Sequence, residues 1–295
     1  MVPPMPPVPF DDTRPVMLAG HPRVTFLGHA TIVIDMDGVR ILTDPILRTR
    51  VGPLVRLRAP IDVARWADVD VILISHSHWD HLDHGSLRML GPSVPIIVPR
   101  GMASGLRRRG FGSVTEVVPG DDVEIGGIRI EAVRAEHRGF GPPVGGTHLS
   151  LGYIVHGSQR HYFAGDTAFF EAMADFAVGL DLALLPVWGW GPTAKPSEHL
   201  DPFGAARAVA AIKPRYAVPI HWGTLHPVGL RWMRPSTRID PPHQFAQLVR
   251  RLAPHTIVRV LPVGSSLDVP PAVPRPRRPE VAAQASDPAD RPPRR

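Results

Sequence analysis

The chain has 295 residues, 43% of them hydrophobic, with 33 Lys and Arg against 27 Asp and Glu, a formal net charge of +6 and no cysteine. That much apolar material can form a substantial core, while the lack of cysteine excludes disulfides and any thiolate metal site. No apolar run approaches the ~20 residues of a membrane-spanning helix, and no charged-then-apolar leader opens the chain, so a soluble cytoplasmic protein is expected.

The opening MVPPMPPVPF is polyproline-like and does not fold alone. RVTFLG (23–28) and ATIVIDM (30–36) alternate and are β-branched, which predicts strands. Asp37-Gly38 predicts a tight turn with VRILTD (39–44) as the hairpin partner. VDVILIS (69–75) is a continuous apolar run, as a buried strand requires. HSHWDH (76–81) follows directly, and Asp83 then suits the N-cap of a short helix through Leu87 and Leu90. VPIIVP (94–99) predicts a strand and GMASGLRRRG (101–110) a helix closed by Gly110. VEI and IRIEAVRAE (123–125, 128–136) form a hairpin through Gly126-Gly127, and LSLGYIVHG with RHYFAG (149–157, 160–165) forms another.

AFFEAMADF (168–176) reads as helix and DLALLPV (181–187) as a buried strand. PFGAARAVAAIK (202–213) is an Ala-rich helix with Asp201-Pro202 as its N-cap and first position. YAVPI (216–220) is a strand, PPHQFAQLVRRLA (241–253) the last helix and TIVRVL (256–261) the last strand. The end, residues 270–295, is rich in Pro and Arg without aliphatic periodicity and reads as a disordered tail. Hairpins concentrated in the first half, helices spread along the chain and no repeat predict an α+β fold. Two sheets pack face to face with helices outside, a four-layer αββα sandwich. One folded domain is expected over 21–269, between a Pro-rich arm (1–20) and the tail.

HSHWDH places three histidines and an aspartate within six residues. On a helix, His76 and His78 would point in nearly opposite directions; in an extended segment they face the same side and can share one ion. Asp80 and His81 come where the chain must turn, and can face a second ion beside the first. Other candidate ligands also follow apolar strands: His137 after IRIEAVRAE, Asp166 after RHYFAG and His221 after YAVPI. Strand ends gathered on one rim of a sandwich would bring these groups together.

HSHWDH resembles the His-x-His-x-Asp-His signature of the metallo-β-lactamase superfamily. GHAT (28–31), TDP (43–45), ISHSHWDHLD (74–83), FAGDT (163–167), HLDP (199–202) and IHWGT (220–224) resemble one branch of it. That branch holds the N-acylphosphatidylethanolamine-hydrolysing phospholipase D enzymes and lies near the ascorbate-6-phosphate lactonases. The resemblance implies one metal held by His76, His78 and His137, a second by Asp80, His81 and His221, and Asp166 bridging both. It also implies a hydroxide shared by the two ions as nucleophile, with Asp80, His81 and Asp166 as the catalytic centre. Imidazole and carboxylate ligands suit zinc best, with manganese or iron as alternatives. Around this centre, Asp44 is a candidate to orient a ligand imidazole, His29 and His199 to contact substrate or support ligands, and Trp188 and Trp190 to line the pocket mouth. His84 and His226 are expected to face solvent.

The expected activity is hydrolysis of a small-molecule or lipid phosphodiester, with peripheral membrane contact as a further expectation. Two readings compete: a lactonase acting on a sugar phosphate or related lactone, and a non-catalytic metal- or nucleic-acid-binding module. The basic tail lacks interleaved aromatics for base stacking, which argues against nucleic acid. The loops after His137 (Arg138-Gly139-Phe140) and after 181–187 (VWGWGPTAKPSEH) depart from those of the lipid enzymes.

Overall fold

A computed structural model describes residues 20–57, 60–137, 139–140, 147–188, 198–228 and 236–271. Trp190, Arg138, all but the last residue of the expected arm and all but the first two of the expected tail lie outside these residues.

The chain begins with a meander of β1 (Arg23–Gly28), β2 (Thr31–Met36) and β3 (Val39–Thr43), followed by the short β4 (Arg50–Val51) and β5 (Leu54–Arg56). Next come β6 (Val71–Leu73), α1 (His84–Leu90), β7 (Ile96–Pro99), α2 (Ala103–Arg107) and β8 (Val114–Val117). The second half starts with β9 (Asp122–Ile125), β10 (Ile128–Arg134), the two-residue β11 (Gly139–Phe140) and β12 (Thr147–His148), β13 (Leu151–His156) and β14 (Arg160–Phe163). It continues through α3 (Met173–Phe176), β15 (Leu182–Pro186), α4 (Pro202–Ile212), β16 (Tyr216–Ile220), β17 (Leu225–Pro227), α5 (Ser236–Leu252), β18 (Ile257–Val258) and β19 (Ser266–Asp268).

Two seven-stranded sheets result, ordered β19-β1-β2-β3-β6-β7-β8 and β18-β16-β15-β14-β13-β10-β9. The alternation of the strands decides the layers, because successive side chains leave opposite faces. Phe26, Ile34, Ile41 and Leu73 of the first sheet meet Ile130, Tyr153, Phe163 and Leu184 of the second in one buried cluster. The opposite face of the second sheet (Ile154, Tyr162, Ala183, Leu185) packs on Met173, Val209, Phe245 and Val249 of α3, α4 and α5. The opposite face of the first (Ile72, Ile74, Ile96, Val98) packs on Leu87 and Leu106 of α1 and α2. This is the expected αββα sandwich. Among the described residues, no helix is long and apolar enough to cross a membrane.

Strand direction positions the site. β1 and β3 each pair antiparallel with β2, and β3 runs parallel to β6. In the second sheet β10 and β14 each pair antiparallel with β13, and β14, β15 and β16 run parallel. Within each sheet these strands therefore end on a common rim, followed by His29, Asp44 and His76 in one sheet and by His137, Asp166, Trp188 and His221 in the other.

Several boundaries differ from the sequence reading. α2 and α3 are shorter than expected, α5 starts earlier, at Ser236, and only Ile257–Val258 of the last expected strand is paired. β18 is an edge strand that pairs only with Tyr216 and Ala217 at the start of β16 and then leaves the sheet. β19 escapes sequence reading because three residues, Ser-Leu-Asp, take strand form only through their long-range pairing with β1.

Candidate metal centre

Asp83 N-caps α1, accepting from the Gly85 and Ser86 amides, and this turns the chain out of the HSHWDH segment. The His81 and Leu82 amides both bond back to the His78 carbonyl, at 3.0 and 2.8 Å. That tight turn brings Asp80 and His81 beside the extended His76 and His78.

All seven residues singled out as ligands converge. His78 Nδ1 lies 2.8 Å from His76 Nε2 and 3.2 Å from His137 Nε2. His221 Nε2 lies 3.5 Å from Asp80 Oδ2 and 3.4 Å from Asp166 Oδ1, and His81 Nε2 lies 3.3 Å from Asp166 Oδ2. Four overlapping groups result, each with its ligand atoms within 4.8 Å of one another: His29, Asp80, His81 and His221; His76, His78 and His137; His76, His81 and Asp166; and His137, Asp166 and His199.

The outer nitrogens decide which atoms are free to coordinate. His137 Nδ1 donates to the Glu198 carbonyl at 2.7 Å and His221 Nδ1 to the Trp188 carbonyl at 2.6 Å. His81 Nδ1 donates to Asp44 Oδ2 at 2.7 Å. Ser75 Oγ gives its proton to Asp44 Oδ2 at 2.6 Å and so accepts from His76 Nδ1 at 2.9 Å. Each of these rings thereby has Nδ1 engaged and Nε2 turned inward, the orientation that metal-binding histidines require. His81 Nε2 and Asp166 Oδ1 are buried with no hydrogen-bond partner. Buried polar atoms left this way are costly unless something else satisfies them, so the donor set fits divalent cations.

Electrostatics agree with this chemistry. Burial, reinforced by neighbouring rings, holds the His76 imidazole well below its ordinary value, and burial lowers His78 to about 4 and His29 to about 3. These rings are neutral at pH 7, the form that coordinates a metal. Burial opposes charge on His81, but Asp166, Asp80 and Asp44 outweigh it and push that ring well above its ordinary value. Burial likewise pushes Asp80 and Asp166 up, and the neighbouring histidines, His81 for Asp80 and His221 for Asp166, bring both well below the usual carboxylate range. The centre thus concentrates negative charge where a cation can offset it.

His29 Nε2 lies 3.0 Å from Asp80 Oδ2 and His199 Nδ1 lies 3.4 Å from Asp166 Oδ2, so each contacts one acidic member of the cluster. His29 and His221 are also tied together, the His221 amide donating to the His29 carbonyl at 2.8 Å. Both have left-handed backbones, φ 58° and 61°, and Asp44 has φ 35°. Such conformations cost on the order of 1 kcal/mol each and gather at functional sites. Trp188, expected to line the pocket mouth, is buried at 8% exposure and contributes its carbonyl to His221. His226, expected to face solvent, is buried at 6% because β17 pairs it with Val55 of β5. His84 is half-buried. Sequence reading missed Ser75 and the carbonyls of Trp188 and Glu198. Ser75 had a positional signal, lying between a buried strand and the cluster; carbonyls have none.

A family model described as "Beta-lactamase superfamily domain" matches residues 39–222. A UPF0173 metal-dependent hydrolase of Methanopyrus kandleri is 31% identical over 256 residues, covering 83% of this chain and 99% of the relative. The chain belongs to the metallo-β-lactamase superfamily. Its His/Asp cluster is capable of binding metal. N-acyl-phosphatidylethanolamine-hydrolyzing phospholipase D 1 of Caenorhabditis elegans is 31% identical over 230 residues, 70% of this chain, and the match spans 64% of that longer protein. The metallo hydrolase Igni18 of Ignicoccus hospitalis superposes with a TM-score of 0.64 at 22% identity, covering 83% of this chain and 97% of that one. The likeness in fold therefore covers more of the chain than the family model does.

Proposed function

We propose that the chain is a dinuclear metal phosphodiesterase, with zinc as the best-suited ion and manganese or iron as alternatives. The observation that carries the reading is the pair of adjoining donor sets. Inward-facing nitrogens of His76, His78 and His137 form one; Asp80, His81 and His221 form the other; Asp166 lies within reach of both. Imidazole and carboxylate donors without thiolate suit these metals. When bound, two adjacent ions supply Lewis-acid charge to a phosphoryl group and lower the pKa of water to about 7.

The chain's own residues then do the rest. Ser75, Asp44 and the carbonyls of Trp188 and Glu198 fix the ligand rings, so no reorientation is needed during reaction. His29 holds Asp80 in place through its 3.0 Å contact. His199, beside Asp166 and with 17% of its side chain exposed, would donate to an anionic substrate oxygen. The phosphodiester preference is supported by the Caenorhabditis elegans relative, a phospholipase D by name.

The test is elemental analysis of metal-reconstituted protein, followed by kcat/KM on bis-nitrophenyl phosphate, an N-acylphosphatidylethanolamine and a simple lactone. Two ions per chain and diester turnover abolished by His81→Ala are expected. Lactone turnover dominating with zinc and with manganese, and depending on His81, would replace this reading by the lactonase.

A further inference from the structure

A cleft of about 670 Å³ opens on the other side of the HSHWDH loop. Ser77 and Trp79 line it, while His76, His78 and Asp80, which alternate with them, belong to the donor groups of the metal centre. None of the seven ligand candidates lines the cleft.

Its walls carry Arg48, Arg88, Arg108 and Arg109 against one carboxylate, Asp83. That carboxylate is already used. Arg48 pairs with it through Nε at 2.7 Å and NH2 at 2.5 Å, and its oxygens also cap α1. Arg48 can lie this close because residue 85 is glycine; a Cβ there would fall 2.3 Å from Arg48 Nε. Arg88 and Arg108 have no ion pair among the described residues, and Arg109 has only a bond to the Gly105 carbonyl, at 2.9 Å. Three cations therefore remain uncompensated. Ser77 Oγ and His84 Nδ1, also in the walls, have no hydrogen-bond partner. Burial, then the charges of Arg109 and Arg88, holds the His84 imidazole below its ordinary value, so both guanidiniums act on this wall.

We propose that the cleft is a second ligand site, separate from the metal centre, for the phosphate group of an organic phosphate. Its volume falls within the ~300–1,000 Å³ of small-molecule sites. Guanidinium forks match phosphate oxygens in pairs, and three of them suit a doubly charged phosphate better than a single carboxylate. Trp79, 48% exposed, supplies an apolar face for the organic part.

The test uses the full, metal-loaded chain titrated with glycerol 1-phosphate, inorganic phosphate and, as the uncharged control, glycerol. Trp79 fluorescence reports on the cleft, and Trp79→Phe identifies that signal among the other tryptophans. Saturable, salt-sensitive phosphate binding is expected, weakened about tenfold for each of Arg88→Gln, Arg108→Gln and Arg109→Gln. These residues are exposed, so folding survives, and circular dichroism checks it. Vesicles of phosphatidylcholine with and without phosphatidylglycerol distinguish the sources. Binding to the anionic vesicles alone assigns a lipid headgroup; saturation by glycerol phosphate assigns a soluble ligand. Unchanged phosphate affinity in all three variants overturns the proposal, as does equal binding of glycerol. Phosphate bound only at the metal centre would also overturn it, because that signal disappears in His81→Ala and ignores the arginines. Failure of the phosphodiesterase reading is recognised separately, as absent diester turnover with cleft binding intact.

Discussion

His81 Nδ1 lies 2.7 Å from Asp44 Oδ2, with both side chains wholly inaccessible to solvent. Asp44 also accepts from the Ser75 amide at 2.7 Å and Ser75 Oγ at 2.6 Å. Burial pushes the Asp44 carboxyl up, yet three donors converge on its two oxygens, and only the ionised, acceptor-only form satisfies them all. Asp44 is therefore the residue that aims His81 Nε2 inward.

Asp44→Asn tests this relationship. The amide keeps the shape but must turn one N–H toward a donor, and it removes the charge that supports the imidazole. The expected outcome is a loss of about 10–100-fold in affinity for the ion on the His81 side, since partners behind a ligand histidine typically contribute that much. Chelator-competition titration measures it, and unchanged affinity would return Asp44 to a plain turn role.

Gly165 is a point of close approach between the two halves, against Ser75. Its φ is +59°, and a Cβ would fall 2.5 Å from Ser75 Cβ and 2.9 Å from the Leu151 carbonyl oxygen. Gly165→Ala should cost about 3 kcal/mol through strain and overpacking combined. Gly127, with φ +86° but nothing within 4 Å of its would-be Cβ, is the control. Gly127→Ala should cost only about 1–2 kcal/mol, the left-handed penalty alone. Denaturant midpoints of the two variants separate sterics from backbone conformation; equal losses would show that Ser75 yields.

Metal removal should loosen the sandwich at one rim. The proposed ligands come from both sheets, with His76 to His81 after β6 and His137, Asp166 and His221 after β10, β14 and β16. Ions held between them stabilise the folded state by mass action, about 4 kcal/mol when free metal exceeds Kd a thousandfold. Chelation should lower Tm, and reconstitution with zinc should restore it. A Tm insensitive to both treatments would mean that the loops hold their geometry alone.

The layers of the fold were legible because alternation in segments such as TIVID and apolar runs such as VILI carry their own register. The convergence of the ligand candidates was legible because HSHWDH, Asp166 and His221 each follow a strand that periodicity already marks. What stayed hidden depends on distant partners. Ser266-Leu267-Asp268 is a strand only beside β1, and His226 is buried only because β17 meets β5. The Trp188 carbonyl supports His221 through backbone, which residue type cannot signal. The arginine cleft, too, needs Arg48 and Arg108 brought together across the first sheet, which no spacing in the sequence shows.

The last prediction concerns acid stability away from the metal centre. His161 in β14 is fully buried. Gln159 Nε2 donates to the Val269 carbonyl at 2.7 Å, so Gln159 Oε1 accepts from His161 Nε2 at 2.9 Å. Nδ1 therefore holds the lone pair, and it has no hydrogen-bond partner. Protonating it would create a buried charge without an acceptor, and burial accordingly lowers this imidazole from 6.5 to about 4, against weaker opposing pulls from Asp181 and Asp37. The folded state thus binds the proton less readily than the unfolded chain. The contribution to stability is complete above pH 6.5 and is lost as pH falls toward 4, where the folded state finally protonates as well. A gap of that size corresponds to about 3 kcal/mol. His161→Gln keeps the donor to Gln159 and cannot titrate. It should be less stable than the parent near pH 7.5, through imperfect packing, and should lose about 3 kcal/mol less on acidification to about pH 4. Denaturant midpoints of both proteins at the two pH values give the comparison directly, and the other histidines cancel because they titrate in both. Parallel acid losses would show that water reaches Nδ1 and that His161 is not the group that limits stability in acid.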